Sequence, residues 1–381
     1  MNKSQMLFFV CIVLLIGFGL IMIYSASAIY AQEKMSDSYF FLKRQIMWVL
    51  VSTILFIITM NIPYTFWMKI ARPLMLLAIC SLIIIFVPGI GREAGGAKRW
   101  IRIGFIGFQP SEFAKLAIVI YLAAFLSRNQ ARIKHFFKGF IPPLCVLGIC
   151  LGLIILQPDL GTCIAIGAIS FLMFFIAGVK ISHLLPLFLA SLPLLYIFIF
   201  NVTYRRNRIL AFLDPWKDPK GTGFQLIQSF IALGSGGTTG VGLGQSRQKL
   251  FYLPEAHTDF IFSIIGEELG FLFSAFIIIL FVIVVVIGFL VVLRAPDLFS
   301  MLTTFGIIIT ISLQSLINIG VVTGSIPTKG LPLPFISFGG SSLVFTMIGM
   351  GIIFNISMQK PTRRRFFLKK AKRLEKTPRR L

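Results

Sequence analysis

Charge is scarce in this chain, and negative charge is scarcest: 13 Asp and Glu stand against 36 Lys and Arg in 381 residues. Charged residues make up 13% of the chain, about half the ~25% of a soluble domain, which excludes a water-soluble globular protein. Only three histidines are present, and the five cysteines (Cys11, Cys80, Cys145, Cys150, Cys163) fall in apolar stretches with no Cys-x-x-Cys pair. That removes disulfide frameworks and zinc modules. The glycine run Gly234–Gly244 has no Gly-Lys-Ser/Thr after it and no strand–helix context, so a nucleotide-binding loop is excluded and close backbone packing or a mobile loop is expected. What remains is apolar: 57% hydrophobic residues and a mean hydropathy of +0.92. The class is an all-α polytopic membrane protein.

A spanning helix needs about 20 apolar residues. Ten such runs are predicted, near residues 6–27, 45–62, 71–89, 111–127, 140–157, 160–179, 183–200, 265–293, 299–323 and 339–358. The first resembles a signal peptide, but it is about 20 residues long and lacks a small-residue cleavage site, so it reads as a span. The run after Phe260 is too long for one straight crossing and is expected to tilt or to begin in the interface. No inverted repeat of the transporter kind is visible. Residues 1–359 read as one transmembrane unit, including a large outer loop at 201–258, and residues 360–381 as a basic tail.

Orientation follows from the cations flanking the spans. The tail carries eleven Lys and Arg against Glu375, and the short loop Arg128–Lys138 carries four. Both termini and that loop are therefore expected in the cytoplasm. The tail reads as a topogenic, lipid-binding segment, and no nucleic-acid partner is expected. Loops 90–110, 201–258 and 324–338 then lie outside, yet they too are basic, with Arg92, Lys98, Arg99, Arg102, Arg205, Arg206, Arg208, Arg247 and Lys249. Cations at an outer membrane surface suit an anionic, lipid-linked ligand.

Acids placed where a chain enters a bilayer are costly and are usually used. Glu255, His257 and Asp259 precede the apolar run from Phe260, and Glu267 and Glu268 follow two turns later. A helix through Glu255 and Asp259 would align them, and one carboxylate is a fair general base. Other acids are expected to pair with outer-loop arginines. Glu112 and Lys115 are three apart at a helix entry after Pro110, so they share a face and are expected to pair. Lys115 reads either as half of a buried ion pair or as a phosphate ligand in a polar cavity. Asp159 suits a helix cap in a tight turn. Trp100, flanked by cations, suits either a membrane anchor or a sugar-stacking platform. The proline–glycine run from Gly324 to Ser342 reads as a re-entrant element, since irregular backbone at membrane depth must line a cavity or be buried in protein.

Together, Phe108–Glu112 (FQPSE), His257–Phe262 (HTDFIF) and Pro327–Ser342 closely resemble the SEDS family (shape, elongation, division and sporulation), with matching features from Arg44-Gln45 to Ser342. The block Tyr252–Gly270 and the segment Pro327–Gly330 resemble its division branch more than its elongation branch. The chain departs from the usual family pattern at Phe338, where Tyr is common, and at Ser325, where an aliphatic residue is common.

The resemblance implies a peptidoglycan glycosyltransferase that polymerises lipid II on the outer face of the bacterial inner membrane. It also implies a class B penicillin-binding protein as partner, with other divisome proteins, at the division septum. Asp259 would be the catalytic residue. Trp100, Arg99, Arg102, Glu112, Lys115, Arg208 and Lys329 would bind sugar or pyrophosphate, with Arg44, Asp159, Glu255, His257, Glu267 and Ser337 in support. No metal-ligand spacing is present; a divalent cation on the pyrophosphate is compatible but not required. A lipid II flippase and an elongation polymerase are the alternatives.

Overall fold

The computed structural model describes residues 2–94, 97–103 and 106–359, without the side chains at 92–97 and 102–106. The basic tail expected at 360–381 lies outside the described residues. The chain runs through α1 (Lys3–Met35), α2 (Phe40–Asn61) and α3 (Tyr64–Ile84). A small sheet follows, made of β1 (Gly91–Ala94), β2 (Ala97–Ile103) and β3 (Ile106–Phe108). Next come α4 (Pro110–Arg128), α5 (Ile141–Leu156, entered through a π turn at Phe136–Phe140), α6 (Leu160–Ala177) and α7 (Ile181–Phe200). Helices α8 (Thr203–Leu213) and α9 (Phe224–Gly236) lead to α10 (Ile261–Arg294), α11 (Leu298–Val322) and α12 (Gly340–Ser357).

Ten of these helices are long and apolar enough to cross a membrane, the number the apolar runs require. Their limits shift where local chemistry decides. Pro63 opens α3 at Tyr64, seven residues before the expected start, because proline fixes the helical entry. Helix α1, with 33 residues, is about 50 Å long, well beyond the ~30 Å hydrocarbon core. On the other side, Gln5 Nε2 donates to the Ser357 carbonyl (2.9 Å), Tyr64 N to Asn355 Oδ1 (3.0 Å), and Asn355 Nδ2 to the Met60 carbonyl (2.8 Å). The start of α1, the α2–α3 turn and the end of α12 thus share one face, as an even number of crossings demands. Helices α4 and α12 are the most enclosed spans and α7 the least, so α7 stands at the rim against lipid.

Helix α10 does not tilt as one rod. It breaks at Gly270 (φ 75°, ψ −175°), a conformation essentially confined to glycine. The break frees backbone groups, and the glycine run fills them. Val241 N and Gly242 N donate to the Glu267 and Glu268 carbonyls (both 3.0 Å), while Phe271 N and Leu272 N donate to Gly237 O (2.9 Å) and Thr238 O (3.1 Å). A Cβ on Gly270 would collide with the backbone nitrogen of Gly240. Close backbone packing, one of the two expectations for this run, is therefore its use.

Outer loop 90–110 folds as an antiparallel meander rather than an irregular loop, with Gly91 opposite Ile101 and Ile101 opposite Phe108. Ser341 Oγ anchors it to α12, accepting from Gln109 N and donating to the Gly107 carbonyl, both at 3.1 Å. The proline–glycine run does turn back into the protein. Leu331, Leu333, Phe335 and Ile336 are buried, and a Cβ on Gly19 would lie 2.8 Å from Ile336 Cα. Gly19 is halfway along α1, so this segment reaches deep between the spans.

Candidate active site

Four segments meet at the end of the bundle opposite the start of α1: β2, the turn before α6, α8, and the re-entrant run, all around the turn that precedes α10. That turn is not the helix that would align Glu255 with Asp259. Thr258 N and Phe260 N both donate to the Glu255 carbonyl (3.1 and 3.2 Å), Glu255 has φ 58°, and helix begins only at Ile261. Thr258 Oγ1 donates to Glu255 Oε2 at 2.6 Å, which holds the exposed Glu255 carboxylate beside the turn.

Asp259 is fixed by its backbone. Asn318 Nδ2, on α11, donates to the Asp259 carbonyl (2.8 Å) and to the Leu331 carbonyl (2.7 Å). Ser337 Oγ donates to the Thr258 carbonyl (2.6 Å) and accepts from Leu333 N (2.8 Å). Phe338 N donates to the His257 carbonyl (3.1 Å). The re-entrant run is thus stitched to the turn through Ser337 and Phe338. The Asp259 carboxylate lies against Gly330, where any Cβ would meet Oδ2.

The charges of Arg208 and Arg99 act on it, Lys329 precedes the Gly330 it touches, and each of these cations is held by a neutral carbonyl. Arg99 Nε and Nη2 donate to the carbonyls of Gln157 (3.2 Å) and Pro158 (2.7 Å). Arg208 Nη1 donates to the Thr328 carbonyl (3.3 Å), and its guanidinium lies 4.4 Å from the Tyr204 ring centre. Lys329 Nζ donates to the Gly161 carbonyl. Asp159 caps α6 as expected, with Oδ1 accepting from Thr162 N (3.1 Å) and Oδ2 from its hydroxyl (2.8 Å).

Burial pushes the Asp259 carboxyl up from 3.8 to about 7. The Glu255 charge adds to the rise, and Arg208 and Arg99 oppose it. Burial lowers Lys329 from 10.5 to about 8, against the pull of Asp159 and with help from Lys115. His257 is lowered by burial. Its ring packs 4.4 Å from Phe41 and 5.9 Å from Tyr30 and Phe338, which makes it a wedge under the turn.

Other expected residues sit farther out. Glu112 and Lys115 form an ion pair at 2.7 Å with both side chains 5% exposed. They line a cavity of about 30 Å³ together with Thr310, Gln314 and Thr346. Lys115 is therefore half of a buried ion pair that also lines this cavity, and its charge acts on Lys329. The Arg44 guanidinium lies over the Phe40 ring (4.2 Å) and makes no ion pair among the described residues. The Trp100 indole lies 3.5 Å from the Cβ position of Gly107. Arg102 is placed only by its pairing with Gly107; its side chain lies outside the described residues. Glu267 turns away from Asp259. Its carboxylate accepts from Ser246 Oγ and from Arg247 N (3.0 Å), so a backbone amide and a serine bind it where an arginine side chain is expected. Among the described residues, no three Asp, Glu, His or Cys side chains gather as a metal-ligand set.

A profile described as "Cell cycle protein", covering FtsW, RodA and SpoVE, matches residues 5–362. The chain belongs to this family. It is 46% identical over 340 residues to the "Probable peptidoglycan glycosyltransferase FtsW" of Geobacter metallireducens, covering 89% of this chain and 91% of that one. Stage V sporulation protein E of Bacillus subtilis is 44% identical over 356 residues, 93% of this chain and 97% of the relative. Among solved structures, one described as a peptidoglycan synthase complex coordinating polymerization and crosslinking superimposes with a TM-score of 0.75 at 29% identity, covering 92% and 96% of the chains. RodA of Thermus thermophilus superimposes at 0.68 with 25% identity, covering 93% and 96%. The family fold, the multi-pass membrane architecture and the resemblance read from the motifs agree.

Sequence reasoning missed Asn318, which ties Asp259 to the re-entrant run, and Gly161, whose carbonyl holds Lys329. An asparagine deep in an apolar helix was the available signal for the first, since such a group needs partners. Nothing in the sequence announces the second.

Proposed function

We propose that this chain is a peptidoglycan glycosyltransferase that polymerises lipid II on the outer face of the bacterial inner membrane, with both termini in the cytoplasm. The observation that carries the reading is the setting of Asp259: a carboxylate raised to about 7, among cations bound only to neutral carbonyls. A base titrating near the working pH is well matched to proton transfer, and cations with no carboxylate bonded to them keep their charge for an anion.

Asp259 takes the proton from the 4-hydroxyl of the acceptor GlcNAc. The oxygen attacks C1 of the donor MurNAc, and the α-linkage inverts to β. The bond to undecaprenyl pyrophosphate breaks, and Arg99, Arg208 and Lys329, with Arg102, take up the developing charge. Glu112 and Lys115 form a second charged tier behind Lys329. Trp100 stacks on a sugar ring.

The cavity beside Lys115 has room for about two waters. The cations and carboxylates around Asp259 gather at one end of the bundle, which favours the enzyme over a flippase. Relatives named for FtsW and for sporulation stand at similar identity; the division-branch motifs favour septal synthesis, with a class B penicillin-binding protein and other divisome proteins as partners. The test is lipid II polymerisation by the purified chain with its class B partner. Wild type should make glycan strands, and Asp259→Asn should fold and lose about 10²–10⁴ in rate. Polymerisation by the Asn variant at the wild-type rate would refute the general base.

A further inference from the structure

A buried polar cluster outside the catalytic turn remains unused by this mechanism. Lys249 Nζ donates to Glu268 Oε1 (2.8 Å) and to Ser25 Oγ (3.2 Å), and Ser25 Oγ donates to Glu268 Oε2 (2.6 Å). Ser246 N also donates to Glu268 Oε1 (3.3 Å), next to the Glu267 bonds to Ser246 and Arg247. Glu268 is fully buried and Lys249 is 6% exposed. Three elements meet here: α1, the outer loop, and the first turns of α10.

We infer that Ser25, Lys249 and Glu268 form a latch that positions the Asp259 turn for catalysis. The inference rests on the glycosyltransferase reading above. Residues 250–256 form an arch tied down chiefly by the buried Leu253 and Ala256: Leu250, Phe251, Tyr252, Pro254 and Glu255 are exposed, Leu253 N donates to the Gln248 carbonyl (2.9 Å), and the bonds to the re-entrant run begin only at His257 and Thr258. One end of the arch is Lys249, and the other leads through the Asp259 turn into α10 at Ile261. Glu267 and Glu268 lie on that same helical stretch, before the Gly270 break. Both ends of the arch are thereby referenced to one rigid segment, and Ser25 references it to α1. A buried ion pair adds little net stability over an apolar pair of similar volume, so its advantage here is a fixed geometry. Displacing a reacting group by about 1 Å can cost about 10² in rate. These are positioning residues, since none of them touches Asp259.

The test is lipid II polymerisation by the full chain with its class B partner, measuring kcat and KM separately together with thermal stability. Lys249→Met and Glu268→Gln should each lower kcat about 10²-fold and leave KM within about twofold. The Lys249→Met/Glu268→Gln double variant leaves no orphan charge, so it should regain thermal stability without regaining kcat. A purely structural cluster would restore both together. Ser25→Ala keeps the ion pair and carries the test if the others do not fold; its kcat should fall about two- to tenfold. Wild-type kcat in every folded variant would overturn the latch. Absence of strands from wild type would instead overturn the glycosyltransferase reading.

Discussion

Polymerisation should rise and fall with pH inside a narrow window. Asp259 must be ionised to accept a proton, and its carboxyl titrates at about 7. At pH 6 about one-tenth of molecules carry the base, whereas an ordinary carboxyl at 3.8 would be almost fully ionised. Lys329 must be protonated to meet the pyrophosphate, and it titrates at about 8. The productive form therefore peaks near pH 7.5, at about three-fifths of molecules, and declines on both sides. The assay is initial-rate lipid II polymerisation at subsaturating substrate between pH 5.5 and 9.5, where kcat/KM, which reports the free enzyme, should be bell-shaped with limbs near 7 and 8. Glu255→Gln removes an exposed charge whose interaction is worth about 0.2–1 kcal/mol, so the acid limb should move down by roughly 0.1–0.7 pH unit. Lys329→Met should abolish the alkaline limb and lower kcat about 10²–10³-fold. The sign also carries to stability. A raised carboxyl pKa means that between pH ~4 and ~7 the folded chain binds a proton that the unfolded chain has released. The stability contributed by Asp259 then falls as pH rises through that window, and Asp259→Asn should remove the dependence. A flat kcat/KM from pH 6 to 8 in wild type would refute the assignment of Asp259 as a base raised by burial.

Gly330→Ala places a Cβ on Asp259 Oδ2; kcat should fall about 10²-fold in a chain that still folds, measured by strand synthesis at saturating lipid II. Gly270→Ala forces a side chain into a conformation costing about 1–3 kcal/mol and against Gly240, so the thermal unfolding midpoint should drop by several degrees, measured on the detergent-solubilised chain.

The bundle was legible because the bilayer imposes one rule on every span, and ten runs satisfied it. Boundaries moved where local chemistry overrode hydropathy, as at Pro63. The sheet was less visible because three short strands in a basic loop carry little apolar signal. Ile101 alternates with Trp100 and Arg102, and Gly95-Gly96 is a hairpin dipeptide, but the pattern covers few residues. Helix α9 buries Leu226, Ser229, Ala232 and Gly236 at steps of three and four, a face of mostly small residues lost in the reading of 201–258 as one loop.

The site was half legible for a different reason. Type and place marked Asp259 as one of several acids at a membrane entry and Arg208 as one of many loop cations; the family resemblance singled out Asp259 and brought in Lys329. What they touch could not be read, because their partners are carbonyls: Gly161 and Thr328, with Gln157 and Pro158 for Arg99. Every residue has a carbonyl, so no sequence pattern marks these. The same limit separates Glu267 and Glu268 from Asp259. All three are acids at a membrane entry, and only geometry shows that two of them bind the chain's own Ser246 and Lys249 while the third is left beside cations that no carboxylate neutralises. That difference in satisfaction, rather than the acidity they share, is the ground for proposing fastening for one pair and chemistry for the remaining carboxylate.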